Sequence, residues 1–303
     1  MDNSYKYLVI SFSVMGIIFA ISEAFTKPLL HNYKSSFVYF SVSKPSDISR
    51  ILTKISMLIY ISSYFVTIHL IAIQFVFRYW LVFENKKVRY IRGSTAFIPW
   101  VLTSLVHMIL WVLIVQFFAS PNEVVDDFLS QEIRRFYGID IRRNEHFAVI
   151  IHSSDVYTNV RGIVSLIGVM ILITPNYMVM FYYGYLLYQS MRNTVTMISV
   201  HSKNVHQQFI KALFLQIAIP SVILFLPIMI IHSIPFFNLN ISISTTLFVN
   251  SLAIYPAIDD IIILTIIKQF REGVIKTFRG VFNWRTSLFP SYTSRTTSST
   301  NRH

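Results

Sequence analysis

Ionisable side chains are rare inside the long apolar stretches of this chain, and adjacent Asp259 and Asp260 are the most prominent of them. Ionisable groups in such stretches are costly to bury, so they usually face the interior of a helical bundle and mark function. Neighbouring helix positions point about 100° apart, so both carboxylates cannot face one partner. We interpret Asp259 as a buried switch whose hydrogen bonds differ between two helix packings. Asp260 is interpreted as a helix-end carboxylate that reaches water, and this plainer interpretation stays open for Asp259.

The other polar groups in or beside these stretches predict no catalysis by their spacing. His69 could act as the base of a proton relay with Asp259, although nothing in the sequence places the two together. No spacing of His, Asp and Glu suggests metal ligation, and no serine–histidine pair can be identified. The absence of cysteine excludes disulfides, thiolate nucleophiles and iron–sulfur clusters. We therefore expect no enzyme activity, no cofactor and no metal site. The remaining polar groups are Glu23, His31, His107, Gln216 and Asn250.

Six stretches are long and apolar enough to cross a bilayer as helices. A hydrocarbon core roughly 30 Å thick needs about 20 apolar residues in a helix. Only 13% of the residues are charged, against about 25% in soluble domains, so one membrane domain accounts for the composition. We predict an all-α membrane protein built as a helical bundle. The predicted spans are Tyr7–Phe25, Ile55–Phe77, Ala96–Phe118, Ile163–Tyr188, Ala212–His232 and Ile243–Ile267.

The basic residues predict the orientation of the bundle in the membrane. Six spans place both termini on one side, and that side receives most of the 26 Lys and Arg residues. Of the 14 acidic residues it receives only Asp2, Glu84 and Glu272. Cytoplasmic segments collect Lys and Arg, so we expect both termini in the cytosol. The net charge of +12 is therefore interpreted as a topology signal, and nucleic acid is not expected as a partner.

Segments outside the spans carry three further predictions. The sequence predicts a short amphipathic helix over Val124–Phe136, in the longest outer loop. We predict an interfacial helix on the inner leaflet over Phe270–Phe282, and the alternative is an extension of the last span. The Ser/Thr-rich residues 283–303 have little apolar content and are expected to be a disordered tail. Residues 1–282 then form the membrane domain.

Four stretches resemble one known family of membrane proteins. Two of them are the opening Tyr5–Ser13 with Lys27-Pro28 and His31–Ser35, and Phe77-Arg78-Tyr79-Trp80. The others are Gln207–Leu213 followed by Gln216 and Ile219-Pro220, and Tyr255–Asp259 followed by Lys268–Arg271. In these positions the chain resembles the nematode seven-transmembrane chemoreceptors of the Str superfamily. The chain departs from the family pattern in two ways. Its first stretch resembles the family's second helix, so the family's first helix is missing. Asp260 stands where the family usually has proline.

The resemblance implies a rhodopsin-like serpentine bundle whose six visible spans correspond to the family's helices two to seven. It implies a G-protein-coupled chemosensory receptor for small, odorant-like environmental molecules, embedded in the plasma membrane of sensory neurons and their cilia. Its partners would be the lipid bilayer, the ligand and a heterotrimeric G protein.

Depth and polarity along the spans give candidate pocket residues: Tyr60, Ser63, Tyr64, Trp111, His232, Thr245 and Asn250. The family motifs give candidates for switching and G-protein coupling: Arg78, Tyr79, Gln216, Pro220, Tyr255, Pro256 and Asp259. The chemistry of Arg78 alone does not decide between two roles. Its guanidinium could contact a cytosolic partner, or it could extend to lipid headgroups.

Two alternatives remain at this point. A six-span transporter or channel would need paired intramembrane charges or a polar stripe along several helices, and few such groups are present. A chain that lacks the family's first helix could also be a non-functional truncated receptor.

Overall fold

The computed structural model describes residues 3–43, 50–83, 94–195, 212, 214–247, 258, 261–262, 265–266 and 271–276. Six helices and four strands form the bundle and its sheet, besides a 3-10 turn at Ile141–Arg143 and short helical stretches after residue 245. In chain order they are α1 (Asn3–Thr26), β1 (Pro28–Tyr33), β2 (Ser36–Ser41), α2 (Arg50–Phe83), α3 (Ser94–Phe118), α4 (Glu123–Tyr137), β3 (His146–Ile150), α5 (Val156–Val195), α6 (Phe214–Phe237) and β4 (Ser242–Ser244).

Four helical spans in the described part of the chain are long and apolar enough to cross a membrane. They are Arg50–Trp80, Ile98–Phe118, Val156–Ser190 and Phe214–Phe237, and they overlap the second to fifth predicted spans. The first predicted span lies in α1, whose apolar part, Ile10–Thr26, is shorter. The sixth lies mostly outside the described residues, so the predicted count of six is not confirmed.

Helix α2 is the central helix of the bundle and packs against α1, α3 and α5. Its side chains Tyr60, Ile71 and Phe75 are fully buried. Helix α3 instead turns apolar side chains such as Leu102 and Val106 outward. An outward apolar face is expected of a helix that contacts lipid, so α3 lies at the periphery of the bundle.

The predicted helical bundle is present, but the chain is not entirely helical, because segments at one end of the bundle form a four-stranded antiparallel sheet in the order β3-β2-β1-β4. The β1–β2 hairpin pairs Tyr33 with Ser36 across a two-residue connection. Lys34 in this connection has a positive φ of 50°. Strands β3 and β4 come from distant parts of the chain and pair with the two edges of the hairpin. We call this end of the bundle the sheet end.

Protein covers both faces of this sheet. Successive strand residues point to opposite faces, so one strand contributes to two clusters of side chains. In β2, Phe37 and Tyr39 pack against the helical bundle, whereas Val38 and Phe40 pack on the side of α4. The sheet end therefore has three layers: the bundle, the sheet and α4.

The amphipathic helix predicted over Val124–Phe136 is confirmed as α4. The side chain of Asn122 caps its start by accepting a hydrogen bond of 2.9 Å from the Val125 amide. Gly138 ends the helix in the left-handed conformation, with a φ of 68°, which glycine adopts without strain. The apolar side chains that pack on the sheet recur at helical spacing: Val125, Leu129 and Ile133.

The predicted start of the sixth span at Ile243 is wrong. Ile243 lies within β4, and helical structure follows only at Thr246. Strand β1 binds this segment: the Thr245 amide donates to the Leu30 carbonyl at 2.9 Å, and its hydroxyl donates to Oδ1 of Asn32 at 3.1 Å. Pairing with β1 satisfies backbone groups that a helix would otherwise satisfy internally.

The predicted helix over Phe270–Phe282 is described only in part. Residues 271–276 are helical and exposed. The remaining residues of that helix and the predicted tail, residues 283–303, lie outside the described residues, so both predictions stand as made.

Candidate functional site

A cavity of about 80 Å³ lies where the sheet meets the bundle. Helices α2, α3, α5 and α6 and strands β1 to β3 provide its walls. Among the described residues that line it, none is Lys, Arg, Asp or Glu. The lining residues are Leu30, Phe37, Tyr39, Tyr60, Ile61, Tyr64, Phe65, Trp111, Val115, Ala119, Phe147, Val149, Ser165, Leu166, Val169, Pro227, Ile228, Ile231 and His232.

The structure places four of the seven predicted pocket residues on this cavity: Tyr60, Tyr64, Trp111 and His232. Ser63 lies elsewhere, in an apolar groove between α1, α2 and α3, and its hydroxyl donates to the Ile59 carbonyl at 2.8 Å. Thr245 is held against β1, and Asn250 lies outside the described residues.

Three polar groups of residues on the cavity wall have partners within the protein, and one of them is the Tyr39 hydroxyl, which donates to the Met57 carbonyl at 3.4 Å. The Tyr64 hydroxyl donates to the Leu224 carbonyl at 3.0 Å. Nδ1 of His232 lies 2.9 Å from the Ile228 carbonyl. Because a carbonyl can only accept, Nδ1 carries the hydrogen.

Two other polar groups on the wall have none. The hydroxyl of Tyr60 and Nε1 of Trp111 are buried and have no hydrogen-bond partner among the described residues. Tyr60 is 1% exposed and Trp111 is 3% exposed. Buried polar groups are nearly always hydrogen-bonded in folded proteins, so unpaired ones indicate either strain or a function.

At the opposite end of the bundle, Arg78 of α2 donates a hydrogen bond from Nη1 to Oε1 of Gln216 on α6. Arg78 is 8% exposed and Gln216 is 4% exposed, so the pair joins two helices away from water. The ring of Tyr79 packs on Tyr183, with 5.6 Å between the ring centroids. The structure thus brings together two residues that were predicted separately as switch candidates.

Pro220 precedes an irregular segment of α6 that lies between Gln216 and the cavity. Residues Ser221–Phe225 form a π-helical turn in which the Leu226 amide donates to the Ser221 carbonyl. Proline lacks an amide hydrogen, and π-helical turns often occur at functional hinges. The other three switch candidates, Tyr255, Pro256 and Asp259, lie outside the described residues.

Asn176 of α5 joins two histidines that lie inside spans, His69 of α2 and His107 of α3. Its Oδ1 is 2.7 Å from Nδ1 of His69, and its Nδ2 is 3.2 Å from Nε2 of His107. The two imidazole rings stack at 4.2 Å between centroids, and Thr103 lies 3.1 Å from Nε2 of His69. No three His, Asp or Glu side chains come together as metal ligands in the part of the chain that the structure describes.

Comparison with known proteins decides the family. The family described as serpentine type 7TM GPCR chemoreceptor Str matches residues 2–275. The chain belongs to the Str family. This Str receptor is 27% identical to the G-protein coupled receptor str-33 of Caenorhabditis elegans over 92% of the chain and 82% of the relative. It is 26% identical to the serpentine receptor class r-10 of the same species, over 93% and 83%. No solved structure matches it.

Family membership establishes the general class of this Str receptor. It is a multi-pass membrane protein of the GPCR chemoreceptor type, and the family is one of receptors and not of enzymes. This agrees with the resemblance on which the sequence prediction was based.

Sequence reasoning missed the part of the cavity wall of this Str receptor that the sheet provides. Phe37 and Tyr39 of β2 and Phe147 and Val149 of β3 line the cavity. The signal was the short continuous apolar run Phe37–Phe40 between two serines, which is typical of a strand buried on both faces but does not by its periodicity exclude a buried helix.

Proposed function

We propose that this Str receptor binds a small environmental molecule in the cavity and signals to a heterotrimeric G protein. Its relatives, named as G-protein coupled and serpentine receptors, support this assignment. The observation that carries the ligand site is the cavity, whose wall includes residues of both α2 and α6. At the opposite end of the bundle, α2 and α6 are joined again by the hydrogen bond between Arg78 and Gln216. A ligand in the cavity therefore contacts the two helices that also form the proposed coupling site.

The route from ligand to partner runs along α6. Ile228 and Ile231 line the cavity, the π-helical turn Ser221–Phe225 follows toward the opposite end, and Gln216 pairs with Arg78. A ligand shifts a conformational equilibrium only by binding one packing better than another. In our proposal, the ligand favours a packing in which α6 bends at the turn and Gln216 leaves Arg78, which then faces the G protein.

The sheet end faces the outside of the cell in this proposal, and both termini face the cytosol. The acidic residues of the long loop support this orientation, since α4 and its flanks carry Glu123, Asp127, Asp140 and Glu145 at the sheet end. Most of the Lys and Arg residues lie in sequence segments that the predicted topology assigns to the opposite side. We place the receptor in the plasma membrane of sensory neurons, with the cilia as the site of odorant contact.

Cavity filling tests the ligand site. In cells that express the receptor and a G-protein activation sensor, a panel of small odorants is screened for an activating ligand. We expect Val169→Trp to abolish the response at normal surface expression, because Val169 is 3% exposed and lines the cavity. Val164→Trp on the same helix is the matched control, since Val164 is 39% exposed and faces outward. A full response from Val169→Trp, or a ligand-gated current without G protein, contradicts the proposal.

Substitution of the helix pair tests the coupling. We expect Arg78→Ala to abolish G-protein activation while surface expression stays normal, because the guanidinium is the group released toward the partner. Gln216→Ala is expected to raise signalling without ligand, because it removes the hydrogen bond that holds Arg78 between α2 and α6. Normal signalling by Arg78→Ala shows that the coupling role is wrongly assigned.

A further inference from the structure

We infer that small molecules enter the cavity from the bilayer, through an opening between α5 and α6 near the sheet end, and not from the water beyond the sheet. This inference rests on the proposed function, in which the cavity is the ligand site, and adds the path by which the ligand arrives. A ligand first dissolves in the leaflet at the sheet end and then moves sideways between the two helices.

Packed side chains fill the cap over the cavity, which consists of the sheet and α4. Between these two layers, Val38, Phe40, Leu129 and Ile133 are completely buried. On the bundle side of the sheet, Tyr39 is 1% exposed. Protein interiors are close-packed and contain few voids larger than a water molecule. A molecule that came from the water beyond α4 would therefore have to separate two layers of buried side chains.

Hydrogen bonds also join the rim of the cap to the helices. The Ala148 amide of β3 donates to the Ala119 carbonyl at the end of α3, at 2.8 Å. The side-chain amide of Asn32 in β1 donates to the Ile231 carbonyl of α6 at 3.0 Å, and Asn32 is fully buried. Entry around these two parts of the rim would leave buried polar groups unpaired, which is costly.

Helices α5 and α6 are in close contact away from the sheet end. A Cβ atom built on Gly184 of α5 would lie 2.5 Å from Cδ1 of Ile217, so this α6 side chain packs directly on the α5 backbone. Nearer the sheet end, the ring centroids of Tyr177 and Phe225 lie 4.0 Å apart, and Tyr177 is 4% exposed. The two helices therefore close the bundle over this length.

The contact between α5 and α6 is lost closer to the sheet. Seven residues make nearly two helical turns, so Met170 and then Ile163 continue the contact line of Tyr177 along α5. Met170 is only half-buried, and Ile163 is 37% exposed. In the described part of the chain, Leu226–Phe237 of α6 packs on β1 and β2 but not closely on α5. The two helices therefore diverge as they approach the sheet.

The cavity lies behind this divergence. Leu166 of α5 and Ile228 of α6 line it, and Met170 lies one turn from Leu166. On its other side α5 is closed against α3, because a Cβ atom built on Gly168 would lie 3.1 Å from Cδ1 of Ile114. The described lining residues include no Lys, Arg, Asp or Glu, so an apolar molecule leaves hydrocarbon for a similarly apolar wall. The opening between α5 and α6 thus leads from the bilayer to the cavity.

A single thiol in the cavity measures this path without a ligand or a G protein. The chain has no cysteine, so Val169→Cys places one thiol on the cavity wall, at a position that is 3% exposed. The receptor is purified, placed in phosphatidylcholine nanodiscs and treated with methyl methanethiolsulfonate, a small uncharged reagent. The thiolate attacks the reagent, a disulfide to the methylthio group forms, and methanesulfinate leaves. Mass spectrometry of the intact chain gives the rate.

Bulky side chains in the opening are expected to slow this reaction. Met170→Trp, added to Val169→Cys, should lower the rate roughly tenfold, because the indole must move aside before the reagent passes. Ile163→Trp is a second, independent obstruction and should act in the same direction. Val164→Trp is the matched control, since Val164 is 39% exposed on the outward face of α5, and it should leave the rate unchanged.

Loosening the cap tests the other route. Leu129→Ala, combined with Val169→Cys, truncates a completely buried side chain between α4 and the sheet. We expect the labelling rate to stay unchanged, because the reagent does not pass through the cap. A faster rate shows entry from the water and overturns the inference, and this comparison holds even if the tryptophan variants do not fold.

The remaining outcomes separate this inference from the proposed function. Unchanged labelling in both tryptophan variants overturns the inference, and so does failure to label Val169→Cys while the exposed Gln131→Cys on α4 reacts fully. Labelling that is slowed by tryptophan, without G-protein activation by any odorant, supports the path and contradicts the proposed function. Activation by an odorant together with labelling that tryptophan does not slow supports the function and contradicts the path.

Discussion

At the residue scale, Gly162 sets how closely α5 approaches the sheet. A Cβ atom built on Gly162 would lie 2.1 Å from the carbonyl oxygen of Ile150. That oxygen belongs to the backbone at the end of β3, so it cannot move aside as the tip of a flexible side chain could. The contact between α5 and the sheet therefore depends on the absence of a side chain at this position.

Gly162→Ala is accordingly expected to prevent the normal packing of α5 against β3. The measurement is the amount of receptor at the cell surface, compared with total expression, and we expect a severe loss. Gly16→Ala is the matched control, because nothing lies within 4 Å of a Cβ at Gly16 in α1 and alanine is the better helix former. Normal surface expression of Gly162→Ala would contradict the close approach.

His31 in β1 belongs to a buried chain of hydrogen bonds at the sheet end. The Ser242 hydroxyl donates to Oε1 of Glu132 at 2.5 Å, so it can only accept from Nε2 of His31 at 3.2 Å. Nδ1 is then left to accept from the Tyr137 hydroxyl at 3.2 Å. With a neutral imidazole, these hydrogen bonds join β1, β4 and α4.

Acid is therefore expected to destabilise the sheet end. Burial lowers the pKa of His31, and the nearby Glu132 carboxylate offsets part of this effect. Below the ordinary histidine pKa of about 6.5 the unfolded chain binds more protons than the folded one, so stability falls as the pH falls through this region. Hydrogen exchange of β1 at pH 5.5 and 7.5 measures the effect. His31→Gln should reduce the pH dependence, and Glu132→Gln should enlarge it.

The sequence shows how far along a helix each residue lies, but it does not show in which direction around the helix axis the side chain points. Tyr60 and Tyr64 lie four residues apart, share one helix face and both line the cavity. Ser63 lies one position before Tyr64, about 100° around the helix, and faces the groove toward α1 and α3. The sequence alone could not separate these positions, because only packing determines which side chains turn inward.

At the scale of elements, α4 depends on three apolar side chains for its attachment to the sheet. Leu129 and Ile133 are completely buried, and they pack with Val38, Phe40 and Ile150. Helix α4 has no covalent or metal link to the sheet among the described residues. Burial of these side chains therefore helps to hold α4 in place, together with the hydrogen bonds of Glu132 to Ser242 and of Tyr137 to His31.

Leu129→Ala is expected to loosen α4 by about 2–5 kcal/mol, the usual effect of truncating a fully buried leucine. Protease cleavage within residues 123–137 should increase in the intact receptor, while the bundle remains resistant. Gln131→Ala on the exposed face of the same helix is the control and should leave the cleavage rate unchanged. Equal cleavage of the two variants would show that α4 is held by other contacts.

At the sheet end, helix α4 could be predicted from the sequence, whereas the four strands could not. Helix α4 was predicted because its apolar residues repeat within a single stretch of the chain. The sheet was missed because its strands are three to six residues long, and because β3 and β4 pair with the β1–β2 hairpin from far along the chain. For the same reason the sixth span was predicted to start too early, since nothing local shows that Thr245 bonds to β1.

At the scale of the whole molecule, the absence of cysteine allows a direct test of orientation. Gln131→Cys on α4 and Lys276→Cys beyond the last predicted span each introduce one thiol into a chain that has none, at exposed positions. We expect a membrane-impermeant maleimide to label the first variant in intact cells and the second only after permeabilisation. Labelling of Lys276→Cys in intact cells would reverse the proposed topology, and the unsubstituted chain provides the background.

The alternation of side chains in β2 also affects how such receptors could diversify. Because the side chains point to the two faces in turn, a shift of one position in the pairing exchanges every residue on one face for its neighbour. Insertion or loss of a single codon in the Lys34-Ser35 connection would thus remove the rings of Phe37 and Tyr39 from the chamber and put Val38 and Phe40 in their place. A single insertion or deletion could in this way replace every β2 side chain that lines the chamber, whereas point mutations replace one side chain at a time.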